Sequence, residues 1–118
     1  KQSEIQYLET IIKLEETKGG LLVDIDMKGT DGVPVSLELI FRGDGRFEGV
    51  IPSGKENNAY LLKEGEGKYS LGEDSIHFGP GRAEHKAIHL RGGLPFAQAP
   101  SVYITGYTPF THQLFIRQ

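Results

Sequence analysis

The stretch that decides the fold is LLVDIDMK at residues 21–28, followed after a short glycine-bounded turn by VPVSLELIF at residues 33–41. Apolar and polar residues alternate through most of both segments, and successive side chains of a β-strand point to opposite faces. In the first segment Val23, Ile25 and Met27 share one face, and acidic residues lie between them on the other. The pattern predicts two consecutive antiparallel strands that each place one face on a hydrophobic core.

Glycine extends this prediction to the rest of the chain. The chain has 16 glycines among its 118 residues, roughly twice the average share. The glycines separate short segments in which many apolar residues recur at every second position. This arrangement is typical of an all-β sandwich or barrel. We therefore predict a single domain over residues 1–118, an antiparallel, jelly-roll-like β-sandwich of about ten short strands. The expected strands are 7–16, 21–28, 33–41, 46–51, 59–63, 68–71, 75–78, 85–91, 101–106 and 112–117.

The first twenty residues fit either a helix or a strand. Ser3 and Gln6 have the spacing of a helical capping box. Residues 10–14 are instead rich in β-branched side chains and lead to the pair Gly19 and Gly20, directly before the clearest strand. A hairpin accounts for this glycine pair better than a helix does. We therefore expect a long first strand over residues 7–16.

Composition excludes several classes of protein. There is no cysteine, which removes disulfides, Cys-ligated zinc and thiol nucleophiles. The net charge of −3 argues against a nucleic-acid partner, because phosphate binding needs a clustered excess of Lys and Arg. No apolar run approaches the ~20 residues of a membrane span, so no membrane partner is expected. The chain begins at Lys1 without a signal peptide. We therefore expect a domain excised from a longer chain, or else a mature chain after processing, and favour an exported location.

Histidine spacing argues against a metal site. His85 and His89 lie four residues apart in a segment that alternates like a strand, and such positions are ~13 Å apart. Both therefore cannot bind one ion at ~2.1 Å. The His-x-His pattern of cupins is also absent, so we expect neither a metal nor another cofactor. A small cupin-like metal-dependent enzyme that draws in His77 from another strand remains an alternative.

Two groups of residues are candidates for ligand binding. The locally basic stretch 82–91 would present an exposed row that matches the carboxylates or sulfates of an acidic polysaccharide. Its alternative interpretation is a solvated strand face. The aromatic cluster around residues 103–110 would stack on sugar rings, or else pack as a strand corner. The candidate ligand-binding residues are Arg82, His85, His89, Arg91, Tyr103 and Tyr107.

No catalytic residue is predicted. The acidic pairs at residues 64 and 66 and at residues 73 and 74 lie on expected turns, where carboxylates are ordinarily solvated. No Gly-x-Ser-x-Gly nucleophile elbow occurs. The isolated domain is therefore expected not to be an enzyme.

Several short sequence segments, each a predicted turn or strand, resemble a known group of proteins. These segments are GPGRAEH at 79–85, LRG at 90–92, SVYITGYTPF at 101–110 and GVPVSLEL at 32–39. Together with their surroundings they cover about half of the chain. They look like the terminal β-sandwich region of large bacterial proteins of polysaccharide metabolism, with the heparinase II/III-like group as the nearest comparison. The resemblance implies a non-catalytic sandwich attached to a catalytic domain, and it transfers no catalytic residue to this chain.

These observations predict one function and leave two alternatives. The expected function is an accessory domain of a carbohydrate-active protein, which packs against the catalytic domain of the same parent chain and contacts acidic polysaccharide. The first alternative is the cupin-like enzyme described above. The second alternative is an independent carbohydrate-binding module.

Overall fold

The computed structural model describes residues 7–53, 58–85 and 100–118. The described residues form two β-sheets that pack face to face around one main core. The six-stranded sheet contains, in spatial order, β1 (Leu8–Thr17), β2 (Gly20–Gly29), β10 (Phe110–Arg117), β8 (Asp74–Gly79), β7 (Gly67–Leu71) and β4 (Arg46–Glu48). The four-stranded sheet contains β3 (Pro34–Ile40), β9 (Ser101–Tyr107), β6 (Ala59–Leu61) and β5 (Ile51–Pro52). Within these ranges no helix is long and apolar enough to cross a membrane.

The predicted all-β sandwich is confirmed. The chain passes from one sheet to the other after β2, β3, β4, β6, β8 and β9. These repeated crossings give the sandwich its jelly-roll-like character. The ambiguous first segment is a strand from Leu8 to Thr17, and it forms a hairpin with β2 across Lys18 and Gly19.

One expected strand is divided in two. The prediction for residues 46–51 corresponds to β4 and β5, which belong to different sheets. Gly49 lies between them with a φ of 84°, in the left-handed region that glycine adopts without strain. A Cβ at this position would lie 2.5 Å from the carbonyl oxygen of Glu66. The chain therefore turns from one sheet to the other at this glycine.

The expected strand over residues 85–91 lies largely outside the described residues. The segment before it makes an isolated parallel bridge between Ala83 and Thr105 of β9.

One strand pair departs from the antiparallel prediction. Strands β6 and β9 run parallel, with Ala59 opposite Ser101 and Leu61 opposite Tyr103. Between β6 and β9 the chain crosses to the six-stranded sheet, where β7 and β8 form an antiparallel pair. The chain thus returns to the four-stranded sheet in its original direction, without the helical crossover that usually joins parallel strands.

The core lies between the inner faces of the two sheets. Val23, Ile25 and Met27 of β2 are buried, as their alternation predicts, and they belong to one cluster with Val102 and Ile104 of β9. Burial of such side chains stabilises each by about 1.5–3 kcal/mol relative to exposure. The alternation in β2 therefore sets the inner face of the sheet.

Aromatic rings fill one part of this core. The centre of the Phe41 ring lies 5.1 Å from the centre of the Phe78 ring and 4.9 Å from the centre of the Tyr69 ring. Phe47 of β4 lies 4.6 Å from Tyr69. Phe78 is fully buried. Its ring packs between Phe41, which follows β3, and the inner face of β7 and β8.

Replacing Phe78 by alanine should leave a cavity between the sheets and lower the free energy of unfolding by about 3–5 kcal/mol. Urea unfolding followed by fluorescence would measure this loss. The matched control is Phe115→Ala, because Phe115 is only partly buried and lies outside the main cluster. A loss for Phe78→Ala no larger than that for the control would contradict the assignment of Phe78 to the core.

Candidate functional site

Arg82 lies beside the end of β9. Its carbonyl oxygen accepts a 2.9 Å hydrogen bond from the N–H of Thr105, which holds this segment next to the strand. The guanidinium forms a salt bridge with Glu84 and donates a 3.1 Å hydrogen bond to the carbonyl of Thr111. It also lies 4.7 Å from the centre of the Phe110 ring, in cation–π geometry. These contacts hold Arg82 within the fold and engage much of its hydrogen-bonding capacity.

His85 connects β3 to β9. Its Nε2 lies 3.1 Å from the carbonyl oxygen of Val35 and 2.9 Å from that of Gly106. Since carbonyl oxygens only accept hydrogen bonds, Nε2 carries the proton in this arrangement. Nε2 therefore cannot bind a metal ion while it makes these bonds. The ring packs edge-on against Tyr107 at 4.9 Å.

The aromatic candidates are separated by burial. Tyr103 is 2% exposed, and its hydroxyl donates a hydrogen bond to the carboxylate of Glu38. Phe110 is also buried, beneath Arg82. Tyr107 is 41% exposed. A stacking patch made of all three rings is therefore not formed, because Phe110 is buried and Tyr103 packs in a small buried cluster with Ala59 and Leu61.

Of the remaining polar candidates, His77 lies within the described residues. His89 and Arg91 lie outside the described residues. His77 of β8 forms a 2.8 Å contact through Nδ1 with Glu66, which also binds Arg117. His77 and His85 thus have different partners on different sheets. Among the described residues, no group of three or more acidic or histidine side chains could hold a metal ion.

An apolar groove, which the sequence analysis did not predict, lies at the end of β3. It has a volume of about 530 Å³, and Phe41, Tyr69 and Phe78 contribute to its lining. Ile40 and Leu71 also line it and are 56% and 44% exposed. The charged residues of its lining are Glu38, Arg42 and Asp74. The sequence signal for this groove is Ile40, an apolar residue on the otherwise polar face of its strand.

Strand β1 forms a second exposed apolar surface. Its register with β2 places Leu8, Ile12 and Leu14 on the same face as the core residues of β2. These three side chains are nevertheless 49%, 53% and 65% exposed. The inner face of the six-stranded sheet therefore extends past the opposing four-stranded sheet at β1.

Comparison with known proteins gives no relative from which a function can be transferred. No protein-family model matches the chain, no curated protein matches it, and no solved structure matches it. Among the described residues, the groove and β1 present apolar side chains, while Arg82, His77 and His85 are engaged within the fold.

The Tyr69 hydroxyl supports the wall of the groove. It accepts a 2.9 Å hydrogen bond from the N–H of Gly45 and donates to the carbonyl of Arg42. Tyr69→Phe keeps the ring but leaves this turn without its side-chain partner. We expect the free energy of unfolding to fall by about 1–2 kcal/mol, measured in urea.

The control for this prediction is Tyr60→Phe, which removes a hydroxyl from a half-buried tyrosine packed on the same core. Equal stability of Tyr69→Phe and the parent chain would show that the hydroxyl does not hold the turn.

Proposed function

We propose that this chain is a non-catalytic accessory β-sandwich of a bacterial carbohydrate-active protein, and that its apolar groove packs against the catalytic domain of the same parent chain. The observation that carries the proposal is the groove itself, with exposed Ile40 and Leu71 at an apolar cleft of about 530 Å³. Exposed apolar clusters of this kind are typical of surfaces that meet another protein.

The lining of the groove favours a protein partner over a sugar. A sugar ring carries hydroxyl groups around its rim, and burial of a hydroxyl without a hydrogen bond is unfavourable. The exposed apolar part of the lining comes from Ile40 and Leu71, and charge is confined to residues such as Arg42 and Asp74. An apolar side chain of the partner would fill the groove, and the charged side chains of the lining would orient it.

The carbohydrate part of the proposal is supported by the sequence resemblance. The resembling segment at residues 101–110 forms β9, the turn at Thr108 and Pro109, and the first residue of β10. Thr108 anchors this turn, because its side-chain oxygen accepts a 2.8 Å hydrogen bond from the N–H of Val33. The resembling residues thus serve to build the sandwich, which agrees with a domain that assists chemistry performed elsewhere.

The test uses the whole open reading frame in which the chain is encoded. The catalytic domain that the proposal expects there is expressed separately, and its affinity for the 118-residue chain is measured by calorimetry. Leu71→Asp should weaken binding by roughly tenfold or more, because it places a carboxylate against an apolar partner. The control is Ile51→Asp, which changes a comparably exposed isoleucine outside the groove. The absence of a catalytic domain, or an unchanged affinity of Leu71→Asp, would refute the proposal.

A second candidate function, an independent carbohydrate-binding module, is favoured by the position of Tyr107. This exposed ring lies against His85, close to the segment that carries Arg82. Tyr107 can therefore stack on a sugar ring.

Affinity electrophoresis of the isolated chain through gels that contain alginate or polygalacturonate tests this second function. A binding module should be retarded, and Tyr107→Ala should remove most of the retardation. Tyr7→Ala, which removes an exposed tyrosine beside the β1–β2 hairpin, should have no effect. Migration of the parent chain that is unaffected by either polysaccharide would exclude this function for those glycans.

A further inference from the structure

Strand β1 differs from the other edges of the two sheets. An edge strand carries unpaired backbone N–H and C=O groups, and proteins usually protect it by shortness, proline or a bulge. Among the described edges, β4 has three residues, β5 has two and contains Pro52, and β3 begins at Pro34. Strand β1 has ten residues, all exposed, with no proline and an unbroken register to β2.

The hydrogen bonds of Tyr7 show which backbone groups of β1 point away from the sheet. Its carbonyl accepts a 2.8 Å bond from the N–H of Thr30, and its own N–H donates to the Thr30 hydroxyl. Both backbone groups of Tyr7 thus point towards the β2 side. Because successive residues of a strand alternate in this respect, Ile11 also points towards β2. The backbone groups of Leu8, Thr10, Ile12 and Leu14 point outwards.

We propose that β1 pairs antiparallel with β1 of a second copy of this chain, with a two-fold axis at Ile11 perpendicular to the sheet. Leu8 then lies opposite Leu14 of the second copy, and Thr10 lies opposite Ile12. These outward-pointing residues would form ~8 hydrogen bonds between the strands. The inference goes beyond the proposed function, since it requires neither a catalytic domain nor a glycan.

Charge complementarity selects this register. On the outer face, Glu9 of each copy lies opposite Lys13 of the other, so two ion pairs flank the Ile11 contact on the axis. Opposite charges across a strand pair stabilise it, and like charges destabilise it. An axis at Ile12 would instead place Glu9 opposite Glu15, and an axis at Lys13 would place two lysines face to face.

The inner face gives the second copy an apolar contribution. Leu8, Ile12 and Leu14 from each strand would form one continuous strip, which is exposed in the single chain. Cross-strand contact between these side chains would remove part of their apolar surface from water. The edge hydrogen bonds, the ion pairs and the apolar strip thus favour the same partner.

Single cysteines test the register directly, because the natural chain has none. Ile11 faces its copy as a non-hydrogen-bonded pair, for which the Cα atoms are about 4.5 Å apart, within the range of a disulfide. Under mild oxidation Ile11→Cys should give a covalent dimer on a non-reducing gel. Ile12→Cys should not, because the two cysteines would be offset along the strands. Thr111→Cys, on the exposed side of the interior strand β10, reports random collision.

Charge reversal tests the same interface without cross-linking. Sedimentation from about 1 to 500 μM should show the parent chain changing from its 13.0 kDa monomer to twice that mass. Glu9→Lys should weaken this association by roughly tenfold or more, because it creates two lysine–lysine pairs. The double variant with Glu9→Lys and Lys13→Glu should restore association. Both sites are exposed, so circular dichroism should show an intact fold.

Three results would overturn the proposal. The first is a parent chain that remains monomeric throughout the concentration range. The second is cross-linking of Ile12→Cys in preference to Ile11→Cys. The third is a double charge variant as weak as Glu9→Lys alone. Failure of the groove variants to affect a catalytic partner would bear on the proposed function and leave this dimer unaffected.

Discussion

The alternation of apolar side chains in β2 is the constraint on which the rest of the sheet depends. This strand pairs along its length with β1 on one side and β10 on the other. Because paired residues share a face, burial of Ile25 also directs Ile12 and His112 to the inner side. A shift of one residue in the pairing of β2 with β10 would turn the buried Phe110 and Leu114 towards water. The inner faces of three neighbouring strands therefore follow from one segment.

This constraint has a different consequence on each side of β2. On the β10 side, Phe110 and Leu114 are buried beneath the opposing sheet. On the β1 side, Leu14 has the same orientation but is 65% exposed. Leu8 and Thr10 line a pocket with Pro34 and Val35 of β3, but the four-stranded sheet leaves Ile12 and Leu14 exposed. The exposed apolar edge thus arises because the two sheets differ in width, while β1 keeps the face imposed by β2.

Much of the fold could be predicted because its signals are local. Alternation in residues 21–28 and glycine at the turns depend on neighbouring residues, and both led to the correct class and to most strand positions. Gly49 was also visible, but the sequence did not show that the chain changes sheets there, because that depends on which distant strand each half meets. The parallel pairing of β6 with β9 is non-local for the same reason.

The candidate site was less predictable, since a side chain's role depends on what packs across from it. His85 and Arg82 look like ligand-binding residues in the sequence, yet they bind carbonyl oxygens and a neighbouring carboxylate. The apolar groove requires residues from β3, β7, β8 and β10 to meet, and no single stretch contains that information. Ile40 was the one visible sign, as an apolar residue on a polar face.

Hydrogen exchange of the β1 amides at different protein concentrations tests the central claim, an open edge whose register is set by β2. At low concentration the amides of Ile11 and Lys13 should exchange slowly, because they point towards β2, while those of Thr10 and Ile12 should exchange rapidly. At high concentration the rapid set should become protected as the second copy pairs with it. Protection of both sets at every dilution, or an exposed Thr10 and Ile12 at every concentration, would contradict the account.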